Sequence, residues 1–262
     1  MNSLLICRAC GTQFFPKVGP PLECPICLDD RQYIPMTGQT WTDLAELNNN
    51  YTVRIKQIRS GLYDLKMDPS FAIGQRALLL ESHGGNLLWD CIPLINESTI
   101  EFIKEKGGLK AIAISHPHYY STMNEWASIF NCPVYIHQND RSWIHYLGPH
   151  IENWEGEENI LWDDLKIIRI GGHFPGSCIL FLPGAQEEGI ILCGDTFYLS
   201  PSKKFISLMY SYPNHIPLPS NEIGRIRNLC RDLRFQSAYG AFEFQNLERG
   251  GKELLNKSFE QL

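Results

Sequence analysis

The sequence predicts an α/β sandwich in which helices cover sheets, preceded by a small four-cysteine segment. Three observations predict it. Short runs rich in β-branched and apolar residues recur from about Tyr51 onward, and helix signals fall between the later runs but not the earliest ones. Four of the nine cysteines stand ahead of the first run, as Cys7-Arg8-Ala9-Cys10 and Cys24-Pro25-Ile26-Cys27. The expected division is a four-cysteine segment at residues 1–40 and the sandwich at 41–262.

The cysteine segment comes first in the chain. Its pattern is C-x2-C, thirteen intervening residues, C-x2-C, which is zinc-ribbon spacing. Each knuckle turns the backbone tightly enough for two thiolates to share one ion, and two knuckles complete the tetrahedral sulfur set of Cys7, Cys10, Cys24 and Cys27 that suits structural Zn. Iron is accepted by the same four thiolates. Gly11 and Pro25 are compatible with such turns. The other cysteines, Cys91, Cys132, Cys178, Cys193 and Cys230, lie among apolar neighbours and are expected to be small buried hydrophobes.

Strands are expected at Tyr51–Ile58, Gly61–Met67, Gln75–Glu81, Asn86–Cys91, Ala111–Ser115, Val134–His137, Leu165–Ile170, Cys178–Leu182 and Gly189–Cys193. A short helix is expected over Trp41–Leu47. Asn96 caps a second one that runs through Lys106 to a stop at Gly107-Gly108, and Thr122 with Glu125 forms a capping-box pattern for a third ending at Phe130. A helix after Ser220 places Ile223, Ile226, Leu229, Cys230 and Leu233 on one face. Trp154–Glu158, rich in acidic residues, is expected to be a solvated loop.

Composition narrows the function. With 262 residues, 44% hydrophobic and 20% charged, the chain can bury a sizeable core, and disordered and fibrous classes are excluded. Apolar runs such as Cys178–Leu182 and Ile190–Cys193 fall far short of the ~18 residues of a membrane helix. Met1–Ile6 runs straight into Cys7 without the parts of a secretory signal. A cytoplasmic location is expected, where disulfides are disfavoured. The net charge of −6 argues against nucleic acid, whose binding is driven by clustered Lys and Arg. Residues 1–40 are neutral, with Arg8, Lys17 and Arg31 set against Glu23, Asp29 and Asp30. A structural knob, or one that contacts a protein partner, fits the segment better than a nucleic-acid-binding ribbon.

The chemistry concentrates at strand ends. The strand reaching Ser115 stops in His116-Pro117-His118-Tyr119-Tyr120, and imidazoles two apart at a strand end point the same way and reach one ion. The run Leu165–Ile170 stops in Gly171-Gly172-His173, and Gly189–Cys193 stops in Gly194-Asp195-Thr196. Ligand-type residues just past strand C-termini are where α/β folds build sites.

These motifs, together with His83-Gly84-Gly85-Asn86-Leu87-Leu88-Trp89-Asp90-Cys91, occur in the order found in the metallo-β-lactamase-fold superfamily of metal-dependent hydrolases, and the chain resembles that superfamily from roughly Tyr51 to Gly240. The resemblance implies an αββα sandwich. It also implies that His116, His118 and His173 hold a catalytic metal, Zn or Fe, with Asp195 beside them. The superfamily's H-x-H-x-D-H has Tyr120 and Ser121 in its last two places here, and no histidine occurs near Tyr239–Phe242. A single catalytic metal is therefore expected, with a metal-bound hydroxide attacking an ester, lactone, thioester or similar small molecule, and Asp195 completing the coordination or orienting the water. Tyr119 or Tyr120 is expected to donate to a developing oxyanion. Asp90 is expected to orient the site from behind the ligands, with His83 as a weaker candidate for that role. Two other functions fit the same residues: a non-catalytic metal-binding scaffold or regulatory protein, and an Fe(II)-dependent oxygenase.

Overall fold

In the computed structural model, residues 4–15, 21–184 and 188–262 are described. Met1 and Lys17 lie outside these ranges. Two sheets stack face to face. The first has seven strands in the spatial order Ile151–Trp154, Val134–His137, Ala111–Ala113, Leu87–Trp89, Arg76–Leu80, Leu62–Asp68, Thr52–Arg59. The second has six, in the order Glu158–Ile160, Lys166–Arg169, Cys178–Leu182, Ile190–Leu192, Ser237–Tyr239, Asn246–Leu247. Helices Glu97–Glu105 and Met123–Phe130 accompany the first sheet, and Ser220–Leu229 and Gly251–Phe259 the second. This is the expected αββα layering.

Alternation along each strand explains it. In Arg76–Leu80, Leu78 and Leu80 point into the layer between the sheets while Ala77 and Leu79 point to the outer helix layer. In the second sheet Ile167, Leu180 and Leu192 face inward and Ile168, Ile179 and Ile191 outward. Strands buried on both faces read as continuous apolar runs, which is why the sequence marks them well. Each fully buried Leu or Ile contributes about 1.5–3 kcal/mol from burial. The five scattered cysteines are buried and free, as their apolar neighbours predict.

Two local expectations are corrected. Trp41–Thr42 is a strand, not helix: it pairs antiparallel with Leu5–Cys7, and the helix begins at Leu44 with Asp43 as its cap. Thr122 caps nothing, because its hydroxyl instead donates to the carbonyls of Ile92 and Pro93 beneath the helix. The acidic segment is a solvated turn at 155–157 as expected, and only its end residues Trp154 and Glu158 belong to the flanking strands Ile151–Trp154 and Glu158–Ile160. The Asn96 cap does accept from the Thr99 N–H. Among the described residues no helix is long and apolar enough to cross a membrane.

The four-cysteine module packs directly on the sandwich. The Gln13 N–H donates to the Ser121 carbonyl at 3.1 Å, and Gly11 sits against Pro93 and Ala72. At the same edge of the sandwich, buried Arg76 donates from Nε and Nη2 to the Gly240 carbonyl at 3.0 and 2.9 Å and from Nη1 to Asp64 at 2.9 Å. This ties the first sheet to the turn after Ser237–Tyr239.

Candidate metal centres

Two clusters of ligand-type side chains are buried. In the module, Cys7, Cys10, Cys24 and Cys27 converge. The Sγ atoms of Cys7 and Cys27 are 3.8 Å apart and those of Cys10 and Cys24 3.6 Å. Four sulfurs about 2.3 Å from a tetrahedral ion lie about 3.8 Å from one another, so the spacing fits a four-thiolate metal. The Ala9 N–H and Gln39 Nε2 approach Cys7 Sγ at 3.4 and 3.1 Å, donors that suit a thiolate.

The second cluster is His116, His118, His173 and Asp195, whose candidate ligand atoms all lie within 4.8 Å of one another. His116 follows the strand Ala111–Ala113 in extended backbone, and a 3-10 turn, Pro117–Tyr119, then carries His118. The two imidazoles therefore converge through a turn rather than through strand alternation, as the spacing alone suggested. His173 comes from the loop joining Lys166–Arg169 to Cys178–Leu182, and Asp195 follows Ile190–Leu192. Gly194 makes the approach of that last loop feasible: its φ is +54°, and a Cβ there would meet Ser115 Oγ at 2.3 Å.

The surroundings set the imidazole tautomers. His173 Nδ1 donates to the Tyr210 carbonyl at 2.9 Å, which leaves Nε2 as a lone pair facing the cluster. Ser115 Oγ lies 2.8 Å from His116 Nδ1, and His116 Nε2 is 3.5 Å from Asp195 Oδ2. His118 Nδ1 and His173 Nε2 are 3.3 Å apart, matching the roughly 3.3–3.4 Å expected between nitrogens on one tetrahedral Zn. His116 Nε2 and Asp195 Oδ1 are buried with no hydrogen-bond partner among the described residues. Buried polar atoms without partners are the mark of a site that holds an ion or does chemistry.

Burial pushes His118 well below the usual histidine range and His173 down to about 3. Both are therefore neutral and able to ligate at pH 7. Burial would raise Asp195, but the His116 imidazole 3.5 Å away and the nearby His173 hold it below the usual carboxylate range. The Asp195 side chain is 10% exposed and that of His116 is sealed, so Asp195 is the least enclosed of the four.

The other expected residues separate. Asp90, at φ +63°, accepts the Ser115 N–H on Oδ1 at 2.7 Å, one residue removed from His116. Burial, with weaker opposition from the Ser115 N–H, raises its carboxyl to about 8. Tyr119 lies with its ring 4.4 Å from that of His116, and its hydroxyl has no hydrogen-bond partner among the described residues. Burial and then the neighbouring Asp195 push its phenol well above the ordinary value, so it stays protonated. Tyr120 is corrected: its hydroxyl is committed to the Asp140 carbonyl at 3.0 Å. His83 is corrected as well. It is exposed in the turn between Arg76–Leu80 and Leu87–Trp89, at the end of the sheet opposite Asp90, beside Asp163. Ser121 turns toward the module, with its carbonyl bonded to Gln13 and its hydroxyl near the Gly11 carbonyl.

Sequence reading missed Arg31 and Asp140, and it marked Tyr212 only within the stretch Tyr210–His215 that either lines a substrate cleft or forms a turn. Asp140 Oδ1 accepts the Gly176 N–H at 2.7 Å, and the Tyr212 hydroxyl donates to the Asp195 carbonyl at 2.8 Å. Ser115 stood in plain view before the H-x-H, whereas Arg31 and Asp140 come from distant segments without a local signal.

The two stacked sheets with helices outside are the arrangement of metallo-β-lactamases. The crystal structure of DIM-1 metallo-β-lactamase matches with a TM-score of 0.57 over 80% of this chain and 97% of that one, at 14% identity. FIM-1 from Pseudomonas aeruginosa, in its mono-zinc form, matches with a TM-score of 0.56 over 80% and 95%, at 16% identity. The chain therefore has the metallo-β-lactamase fold. It is 42% identical over 240 residues, 90% of this chain and 88% of the other, to the Bacillus subtilis (strain 168) protein described as uncharacterized protein YmaE, and it belongs to that protein's family. It is also 26% identical over 118 residues, 37% of this chain and 54% of the other, to a B. subtilis (strain 168) protein named probable metallo-hydrolase YqgX. No protein-family model matches the chain.

Proposed function

We propose that the protein is a metal-dependent hydrolase of a small ester, lactone, thioester or related substrate, with one catalytic metal held by His116, His118, His173 and Asp195. The observation that carries this reading is the convergence of three buried imidazoles and one carboxylate, with His116 Nε2 and Asp195 Oδ1 left without hydrogen-bond partners among the described residues. The likeness to a protein named as a metallo-hydrolase supports it, and the mono-zinc form of FIM-1 is a precedent for one metal on this fold. A metal bound there supplies a Lewis acid and a water acidic enough to act as a nucleophile near pH 7.

The chain's own groups do the rest. Asp195, ionised and the least enclosed of the four, would help hold the metal or orient its water. The protonated Tyr119 phenol is the donor available to a developing oxyanion. Ser115 and the Tyr210 carbonyl hold the His116 and His173 rings. Beyond Asp195, Tyr212 and Tyr198 stack with centroids 4.6 Å apart, and Phe242 lies 6.3 Å from Tyr198, an aromatic wall against which a small apolar substrate packs. Tyr120 and Ser121 are occupied elsewhere, which favours one metal over two. We further propose a reducing compartment, where four clustered thiolates persist without oxidation.

The test is turnover of an ester, lactone and thioester panel by Zn- and Fe(II)-loaded protein. His116→Ala is expected to lower kcat/KM at least about 1,000-fold, roughly 4 kcal/mol, with the circular dichroism spectrum unchanged. Full activity in that variant overturns the assignment. Absence of turnover in loaded wild type favours the scaffold, and Fe(II)-dependent oxygen uptake favours the oxygenase.

A further inference from the structure

The four-cysteine module touches the histidine centre through one side chain. Arg31, in the segment that leaves the second knuckle, has a side chain only 12% exposed. Its guanidinium carbon lies 4.3 Å from the centroid of Phe174 and 4.2 Å from that of Tyr210. Nε donates to the backbone carbonyl of His173 at 2.5 Å, and Nη1 is held by Asp29 at 2.8 Å.

Each contacted residue bears on the metal ligands. His173 is one of them, and the Tyr210 carbonyl accepts from its Nδ1, which sets the rotation of the ring. Phe174 packs edge-on, 4.9 Å from the His118 ring and 5.1 Å from the His173 ring. The backbone around Arg31 is fastened to the same loop as Tyr210. Ser211 Oγ donates to the Arg31 carbonyl at 3.2 Å, and Asn214 Nδ2 donates to the carbonyls of Asp30 and Gln32 at 2.9 and 3.0 Å. A planar guanidinium can stack on two rings while donating in its own plane, which an ammonium cannot do.

We propose that Arg31 is a positioning residue through which the four-cysteine module sets the geometry of the histidine centre, so that metal at one site raises metal affinity at the other. This rests on reading both clusters as metal centres. A metal on Cys24 and Cys27 orders the segment that carries Arg31, and the clamp then fixes His173 and the carbonyl that orients it. A ligand ring already held in place loses less freedom when its metal binds. The coupling is reciprocal by thermodynamic linkage.

Co(II) is the probe, titrated into the full chain. Cobalt on thiolates gives near-ultraviolet charge-transfer bands, while the histidine centre gives only visible d–d bands, so the two sites read separately. With Zn in the cysteine site, Arg31→Ala is expected to weaken Co(II) at the histidines about 10- to 100-fold and to alter the d–d spectrum. In protein with Co(II) in both sites, the thiolate charge-transfer band of the variant keeps its wild-type position. Arg31→Lys keeps the charge but not the stack, and it is expected to resemble the alanine variant. In wild type, chelating the cysteine-site metal is expected to weaken the histidine site by a similar factor, an arm that needs no substitution. Wild-type affinity in Arg31→Ala, restored affinity in Arg31→Lys, or equal affinity with the cysteine site filled and empty each overturns the proposal. A wild type with no histidine-site band at saturating Co(II) refutes the metal-centre reading itself, and this inference with it.

Discussion

The four-cysteine module and the histidine centre are both buried ligand clusters, yet they are built differently. The cysteines supply four like donors from two local knuckles, all sealed, with Sγ pairs at 3.6 and 3.8 Å. The histidine centre takes three nitrogens and one carboxylate from three separate loops, and its carboxylate side chain is 10% exposed. A closed, homogeneous set suits a metal that holds structure, and a mixed set with an open side suits one that does chemistry. The difference lies in how each cluster is assembled: within a segment in one case, across the sandwich in the other.

The sharpest test of that contrast is removal of each metal. Cys24→Ser is expected to abolish the cysteine-site metal and to lower unfolding free energy by on the order of 5 kcal/mol or more, since binding energy at such sites is folding energy. Stripping the histidine metal is expected to cost about 3 kcal/mol or less at ordinary metal excess. Urea unfolding with metal analysis reads both, and equal losses would erase the distinction.

Next in size is Ser115→Ala, which removes the partner of His116 Nδ1. Metal affinity at the histidines is expected to fall about 10- to 100-fold by chelator competition, with cysteine-site occupancy unchanged.

Asp140 tests the packing behind the histidine loop. Burial, opposed by the Gly176 N–H, raises its carboxyl to about 7, above the roughly 3.9 of an unfolded chain. Its contribution is thus full below about pH 4 and is lost as pH rises through 7. Asp140→Asn keeps the acceptor for Gly176, so its stability relative to wild type is expected to climb by up to about 1.4 kcal/mol per pH unit between about pH 4 and 7. Urea midpoints across that range check it, and parallel curves would contradict it.

The smallest effect separates two adjacent phenols. Tyr120→Phe is expected to cost about 1 kcal/mol of stability, from the bond to Asp140, with kcat unchanged. Tyr119→Phe is expected to lower kcat while leaving stability nearly unchanged. Steady-state kinetics with thermal denaturation distinguishes them, and a reversed pattern would exchange their roles.

Much of this was legible in order along the chain. The doubled C-x2-C announced the module because its ligands and its turns are local. The two-sided apolar runs announced the strands, and three of them ended in His116-Pro117-His118, Gly172-His173 and Gly194-Asp195. Local signals also misled. Thr122 and Glu125 have capping-box spacing, but the Thr122 hydroxyl found better partners in Ile92 and Pro93. Trp41 has helical neighbours, but a free strand edge at Leu5–Cys7 claimed it.

Residue type and spacing thus determined which side chains can ligate, and which strands carry them, because both depend on contacts a few residues apart. The tertiary structure decided the rest. It turned Tyr120 and Ser121 away from the centre, left His83 at the far end of the sheet, and seated Arg31 against His173, 142 residues away. Such partners are chosen by packing and by the need to satisfy buried polar groups, and no local pattern encodes which distant carbonyl or ring will be there.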